Sequence, residues 1–199
     1  MGQSNQRISV LTSFLSSGDN QAFHKLYATY YPVFISYGKA MSNDRELTKD
    51  TIQNLFVWMW QNHEKIAKME QPENYLFTAF RNNLLSAQLK LKNQQNLLNQ
   101  QFRSNNEASP NEEIVLEEPV APVNSYLHQL LENLPTKQKE VIYLRFYQEK
   151  SFSEIAEIMS ISTQVAQNYA LRALTKLRQH AHHLEKLIYP LMALFVLGF

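Results

Sequence analysis

The 199-residue sequence has no cysteine and only four glycines. Without cysteine the chain has neither a disulfide framework nor a thiolate metal site, which fits a cytoplasmic location. The first residues lack the long apolar core of a secretory signal. The chain also lacks a nucleophile–base pair, a glycine loop for phosphates and metal-ligand spacing. We therefore expect no enzyme activity, no catalytic or metal site, no cofactor and no small-molecule substrate.

Charge is unevenly distributed along the chain, although the net charge is only +1. Residues 1–103 carry eleven Lys/Arg and seven Asp/Glu, residues 104–133 carry six Glu and no Lys/Arg, and residues 134–186 carry eight and five. Two mildly basic blocks joined by an acidic segment indicate two domains. We predict an all-α fold of two small helical domains and a flexible acidic linker, with these boundaries: first domain 1–100, linker 101–125, second domain 126–186, apolar tail 187–199.

Ser151 to Arg178 has the pattern of a helix-turn-helix. Ser151 and Glu154 have the spacing of a capping box, which predicts where the first helix begins. Ser160-Ile161-Ser162 separates it from a second helix, and Ser160 occupies a position where glycine would suit the turn. The second helix has an apolar face that predicts burial. Its outward face carries groups that bind base edges and phosphates in a major groove: Thr163, Gln164, Gln167, Asn168 and Arg172.

A second informative helix is predicted over residues 44–62. One of its faces combines a carboxylate, amides and large aromatic side chains, which is typical of a protein docking surface. The alternative is that its two aromatic side chains belong to the core. The docking candidates are Asp50, Gln53, Asn54, Phe56 and Trp60.

The helix predicted from residue 73 interleaves aromatic side chains with basic and amide groups. Such a surface can stack unpaired bases and neutralise their phosphates. The same aromatic side chains also form an apolar stripe, so burial in the core is the competing interpretation. Helical periodicity ends near residue 93, before the proline- and glutamate-rich linker.

Three motifs in this order resemble those of bacterial sigma factors of the extracytoplasmic-function type. Asp50 to Phe56 (DTIQNLF) looks like the family's D-x-V-Q-E-x-F motif, with Asn54 in place of Glu. Tyr75 to Asn82 (YLFTAFRN) is similar to W-L-x-x-I-A-R-N. Leu134 to Arg178 resembles the C-terminal domain, and Gln167-Asn168-Tyr169 is similar to a pattern common in Bacteroidetes homologues.

The resemblance implies a protein that binds the clamp of core RNA polymerase and directs initiation at promoters. The docking candidates of residues 44–62 would contact polymerase, and the outward face of the helix-turn-helix would read the −35 element. An anti-sigma factor is a further partner that the resemblance allows. The −10 element would be read by residues around the start of the helix that follows: Lys68, Asn74, Tyr75, Phe77, Thr78, Arg81 and Asn82.

Two alternatives remain open from the sequence. A stand-alone helix-turn-helix regulator explains residues 151–178 but gives residues 44–83 no role. A helical protein-interaction module would bind no DNA. The tail 187–199 is uncharged and too short for a bilayer, which needs about 20 residues. We expect it to pack within the chain or against a partner.

Overall fold

The computed structural model describes residues 2–102 and 130–180, which form helices joined by short turns. The predicted tail and all but the first two residues of the predicted linker lie outside these ranges. No strand occurs in the described residues, and the all-α expectation is confirmed there. A π-helical turn, Tyr143–Tyr147, follows the helix that ends at Ile142. The helices are α1 (Gly2–Ser17), α2 (Asn20–Met41), α3 (Arg45–Ile66), α4 (Pro72–Phe102), α5 (Thr136–Ile142), α6 (Phe152–Met159) and α7 (Thr163–His180).

Short polar segments set the first helix boundaries, as the sequence predicts. Gly18 has a φ of +63°, which glycine adopts at little cost, and so the chain turns between α1 and α2. The Asp19 carboxylate then accepts a 2.7 Å hydrogen bond from the Ala22 N–H and caps α2. Asp44 caps α3 in the same way, through the Leu47 N–H at 2.8 Å.

Helix α2 continues through Pro32 to Met41, and α4 is longer than the sequence pattern indicates. Periodicity fades near residue 93, yet α4 continues to Phe102. Residues 89–97 of α4 are exposed along every face, and a helix without a buried face shows no apolar period.

Helices α1 to α4 form an N-terminal bundle with an aromatic core. The Phe34 ring lies 5.4 Å from Phe77, 5.0 Å from Phe80 and 6.3 Å from Phe56, measured between centroids. Helix α2 crosses α3 closely at Gly38, where a Cβ atom would lie 2.2 Å from Cγ2 of Thr48. This core fixes the faces of α3 and α4 that carry the candidate site residues.

Residues 130–180 form a C-terminal bundle, which packs directly on the N-terminal bundle. Helix α5 contacts α2, and α6 contacts α4. The apolar cores are continuous, because Val141, Leu144 and Ile155 belong to the same buried cluster as Phe34 and Phe77. The sequence analysis predicts the two helical units but not this contact between them.

Candidate nucleic-acid interface

Helix α7 presents its predicted DNA-reading residues to solvent. Thr163, Gln164, Asn168 and Arg172 are exposed, and Gln167 is partly buried. On the opposite side, Ala166 and Ala170 are fully buried. The Gln164 amide donates to Asn168 Oδ1 at 3.4 Å, so these two side chains lie together on the surface. The predicted residues therefore share the solvent-facing side of α7, which also includes the half-exposed Leu171.

Both helices of the helix-turn-helix, α6 and α7, have the predicted caps at their first residues. The Ser151 hydroxyl accepts from the Glu154 N–H at 3.2 Å, while a Glu154 carboxylate oxygen accepts from the Ser151 N–H at 2.8 Å. This is the expected capping box. Ser160 has a φ of +53° at the end of α6, the left-handed conformation that glycine adopts more easily. Ser162 then caps α7 by accepting from the Val165 N–H at 3.3 Å.

The predicted polymerase-docking residues on α3 divide into two groups. Asp50, Gln53 and Asn54 are exposed. Trp60 is 37% exposed, whereas Phe56 is only 2% exposed. In this conformation Phe56 lies in the core, where the alternative interpretation placed it. The exposed members share one side of the helix, and their role in docking stays a prediction.

An aromatic surface that the sequence analysis did not single out lies beside this face. Tyr27 is 37% exposed and its ring stacks on Tyr31 at 5.2 Å. The same ring lies 4.7 Å from Phe56 and so joins α2 to α3. The crossing of α2 and α3 leaves Tyr27 at the edge of the core.

The predicted −10 residues are placed very differently from those on α7. Lys68 and Asn82 are exposed, and Tyr75 is half-buried against the Trp58 ring at 5.7 Å. Thr78 donates its hydroxyl to the Asn74 carbonyl at 2.9 Å. Asn74 is only 2% exposed and Phe77 is fully buried. These side chains share the start of α4, but most of them are not free in this conformation.

A pair of buried carboxylates connects the two bundles. Glu73 Oε2 accepts from Lys150 Nζ at 2.5 Å, and Glu73 Oε1 accepts from the Tyr30 hydroxyl at 2.9 Å. Glu140 Oε1 accepts from both Arg81 Nε and the Tyr37 hydroxyl at 2.7 Å. Both carboxylates are almost fully buried, so each needs these donors to offset the loss of hydration.

The π-helical turn provides a further interbundle contact. The ring of Tyr143 stacks on Tyr37 at 5.4 Å with only 7° between the planes. Its hydroxyl donates to the Val33 carbonyl at 2.7 Å and accepts from Gln148 Nε2 at 2.7 Å. π-Helical turns are often found at functional positions. Here the turn aligns an aromatic ring and its hydroxyl with α2.

Burial shifts the titration of the tyrosines in this interface. The pKa of Tyr37 lies well above its ordinary value because burial disfavours the phenolate and Glu140 is close. Burial also raises the pKa of Tyr30, with the Glu73 carboxylate as a second cause, and that of Tyr143. All three hydroxyls therefore remain protonated donors at neutral pH.

A second carboxylate of the C-terminal bundle, Glu154, lies at the start of α6. Burial raises its pKa, but hydrogen bonds from Ser151 and the charge of Lys150 outweigh burial and lower it. The Asn74 amide donates to Gln71 Oε1 of its own bundle, whereas Arg81 donates to Glu140 of the other bundle.

The described residues contain neither a candidate membrane span nor a cluster of metal ligands. Across 2–102 and 130–180 the structure contains no helix with the length and apolar character that a membrane span requires. Within the same ranges, no three His, Asp or Glu side chains lie close enough together to hold a metal ion.

Comparison with known proteins agrees with the motifs. Residues 124–177 match the family described as "Sigma-70, region 4". No curated protein sequence matches closely enough to count as a relative. The similarity to Bacteroidetes homologues stays a prediction.

Solved structures extend the comparison to the rest of the chain. One similar structure is that of CnrH in complex with the cytosolic domain of CnrY, with a TM-score of 0.53 and 20% identity over 87% of this chain and 94% of that chain. Another is the sigma factor RpoE from Bartonella quintana in complex with the anti-sigma factor NepR, with a TM-score of 0.58 and 17% identity over 79% and 94%. At these identities the likeness concerns the fold. Residues 124–177 thus match a sigma-70 region 4, and the chain shares the fold of these solved structures, in agreement with the resemblance drawn from its motifs.

Proposed function

We propose that this protein binds core RNA polymerase and directs promoter-specific initiation by reading −35 and −10 elements. The observation that carries the proposal is the polar face of α7, which lies inside the region 4 match and exposes Thr163, Gln164, Asn168 and Arg172. Amides, hydroxyls and guanidinium groups are the side chains that read base edges and bind phosphates in a major groove.

The N-terminal bundle supplies the second half of the proposed function. The exposed Asp50, Gln53 and Asn54 lie on one side of α3, close to the aromatic surface of Tyr27 and Trp60. Exposed aromatic side chains beside amides suit a protein interface, because the rings lose hydration on binding and the amides fix the register. We assign this face to the polymerase clamp.

The start of α4 would hold the opened −10 strand. An aromatic platform contributes about 1–3 kcal/mol for each stacked base, which is comparable to the cost of unstacking a step. Tyr75 is the half-buried aromatic side chain best placed for this, since Phe77 is fully buried. Arg81 and the exposed Lys68 and Asn82 would contact the backbone.

The two similar structures described above each contain a bound partner protein. CnrH was solved with the cytosolic domain of CnrY, and RpoE of Bartonella quintana with the anti-sigma factor NepR. We therefore include an anti-sigma factor among the proposed partners of this chain.

Run-off transcription with purified core polymerase on genomic promoters tests the proposal. We expect the Gln53→Ala/Asn54→Ala variant to lose polymerase binding, while Gln61→Ala, an exposed residue further along α3, keeps it. Gln164→Ala/Asn168→Ala should lose −35 dependence, whereas Gln179→Ala, exposed in the last turn of α7, should not. No initiation at any promoter would refute the proposal, and a palindromic footprint without polymerase would favour a stand-alone regulator.

A further inference from the structure

Helix α7 exposes a large apolar side chain among its DNA-reading residues. Leu171 is 50% exposed, and no other large apolar side chain of residues 163–179 is exposed. The buried apolar stripe of the helix runs along a different side, through Ala166, Ala170 and Leu174. The side chain of Leu171 therefore contributes little to the core, and its apolar surface is free to meet a ligand.

Leu171 lies on the same face of α7 as the two exposed amides. It follows Asn168 by three residues and Gln164 by seven, and residues with these spacings share one side of a helix. The amide groups of Gln164 and Asn168 are 3.4 Å apart on that side. Seven residues correspond to about 10.5 Å along the helix, which is the length of about three base pairs. A major groove that receives the amides thus receives Leu171 as well, within about three pairs of Gln164.

The chemistry of the major groove restricts what an apolar side chain can contact there. The C5 methyl group of thymine is the apolar group that base pairs show in this groove, and their other groups are hydrogen-bond donors and acceptors. A leucine placed over a donor or acceptor would remove its water and supply no hydrogen bond in return. The residue one turn further along does not supply a donor either, because the Thr175 hydroxyl donates to the Leu171 carbonyl at 2.9 Å.

Resting on the function proposed above, we infer that Leu171 reads a thymine of the −35 element by packing on its C5 methyl group. Both apolar groups lose hydration on contact, which favours thymine over bases that present only polar atoms at that place. Gln164 and Asn168 hydrogen-bond to neighbouring bases in the same groove. The −35 element of this protein accordingly contains a thymine within about three base pairs of the contact of Gln164, and recognition of that thymine depends on its methyl group.

Replacement of thymine by deoxyuridine tests the contact, because the two bases differ only in the C5 methyl group. A promoter is first identified by run-off transcription with wild-type holoenzyme, and each thymine of its −35 element, on either strand, is then replaced in turn. We expect one replacement to weaken binding of wild-type holoenzyme about fourfold, as for one methyl group left in water. Leu171→Ala holoenzyme should bind the unmodified promoter at least about fourfold more weakly, and the same replacement should then have no further effect.

Two control variants separate the contact from general effects of truncation. Leu171→Met keeps an apolar side chain of similar volume, so the sensitivity to that methyl group should persist. Leu89→Ala truncates a leucine that is 60% exposed on α4, and it should change neither the affinity nor the sensitivity. Leu171→Ala itself should fold, because the side chain is half-exposed and alanine favours the helix.

The outcomes distinguish failure of this inference from failure of the proposed function. If wild-type holoenzyme initiates but no replacement weakens its binding, or if Leu171→Ala keeps the wild-type sensitivity, only the reading by Leu171 is wrong. A −35 element without thymine on either strand would overturn it equally. Weaker binding of Leu171→Ala to core polymerase in the absence of DNA would assign the side chain to a protein contact and also overturn it. If wild-type holoenzyme initiates at no promoter, the proposed function itself fails.

Discussion

The two predicted DNA surfaces of this chain differ in what determines their exposure. On α7 the exposed face follows from that helix and its own bundle, so Gln164 and Arg172 lie in solvent. On α4, Arg81 is held by Glu140 of the other bundle, 59 positions further along the chain. The exposure of the α7 face is thus decided locally, whereas the environment of Arg81 depends on a contact between the two bundles.

The same comparison explains where the buried charges are found. The paired carboxylates Glu73 and Glu140 both lie between the bundles, and each has a cation and a tyrosine hydroxyl as partners. An apolar interface of the same size would hold the bundles together without requiring exact partners. A buried ion pair stabilises the fold only when each charged group has its partners. Its net contribution to the free energy of unfolding is small, because the separated charges would regain their hydration. The contact between the bundles combines these ion pairs with a shared apolar core, to which Val141 and Ile155 belong.

The largest effect on stability is expected when the arginine on α4 is replaced by methionine. The same replacement of the arginine on α7 is the comparison. Arg81→Met leaves Glu140 buried with only Tyr37 as a donor, and it should lower the free energy of unfolding by about 3 kcal/mol. Arg172→Met changes an exposed side chain on α7 and should stay within about 0.5 kcal/mol. Urea unfolding measures both.

Separation of the bundles would limit the loss for Arg81→Met, because Glu140 would then become hydrated. Small-angle scattering at low urea distinguishes a separated protein from a compact one that is less stable. Equal losses for the two variants, with both proteins compact, would mean that the ion pair adds nothing beyond an exposed charge.

The sequence predicts the surface on α7 better than the surface at the start of α4. The capping box of Ser151 and Glu154, the turn at Ser160 and the exposed face of α7 were all predictable, because each depends on residues within a few positions. The burial of Asn74 was not, because it depends on α6, which is distant in sequence. An apolar stripe indicates which side of a helix is buried, but polar residues such as Glu73 and Lys150 give no periodic signal when they pair across two bundles.

Alkaline pH should weaken the interbundle contact through Tyr37. Its pKa is raised in the folded protein above the ordinary 10.0, so its contribution is complete below that pH and is lost as the pH rises through the folded pKa. Each such group lowers the free energy of unfolding by about 1.4 kcal/mol per pH unit in this window. Tyr37→Phe should reduce the slope by about that amount.

Urea unfolding at several values between about pH 10 and pH 11 gives the slope, since the ordinary tyrosine pKa lies at the lower end of this window. Tyr30 and Tyr143 also have raised pKa values, so a slope should persist in the Tyr37→Phe variant. An unchanged slope would show that folding does not raise the pKa of Tyr37.

A smaller effect is expected in the turn of the helix-turn-helix. Ser160 adopts a left-handed conformation with a φ of +53°, which costs a non-glycine residue about 1 kcal/mol. Ser160→Gly should therefore stabilise the C-terminal bundle by up to about 1 kcal/mol, as measured by urea unfolding. Ser160→Ala is the matched control and should give no gain, because alanine retains the Cβ atom. A gain with alanine would mean that the hydroxyl, and not the backbone, is the source of strain.

The smallest effect concerns the α7 surface alone. Gln167 is partly buried at the edge of the DNA-reading face and contributes no charge. Gln167→Arg should add one phosphate contact, which steepens the dependence of log K on log salt by about 0.9. Over a fourfold change in salt that slope corresponds to about a threefold change in affinity. Binding to a −35 duplex measured across salt concentrations tests this, and equal slopes for the two proteins would show that position 167 faces no phosphate.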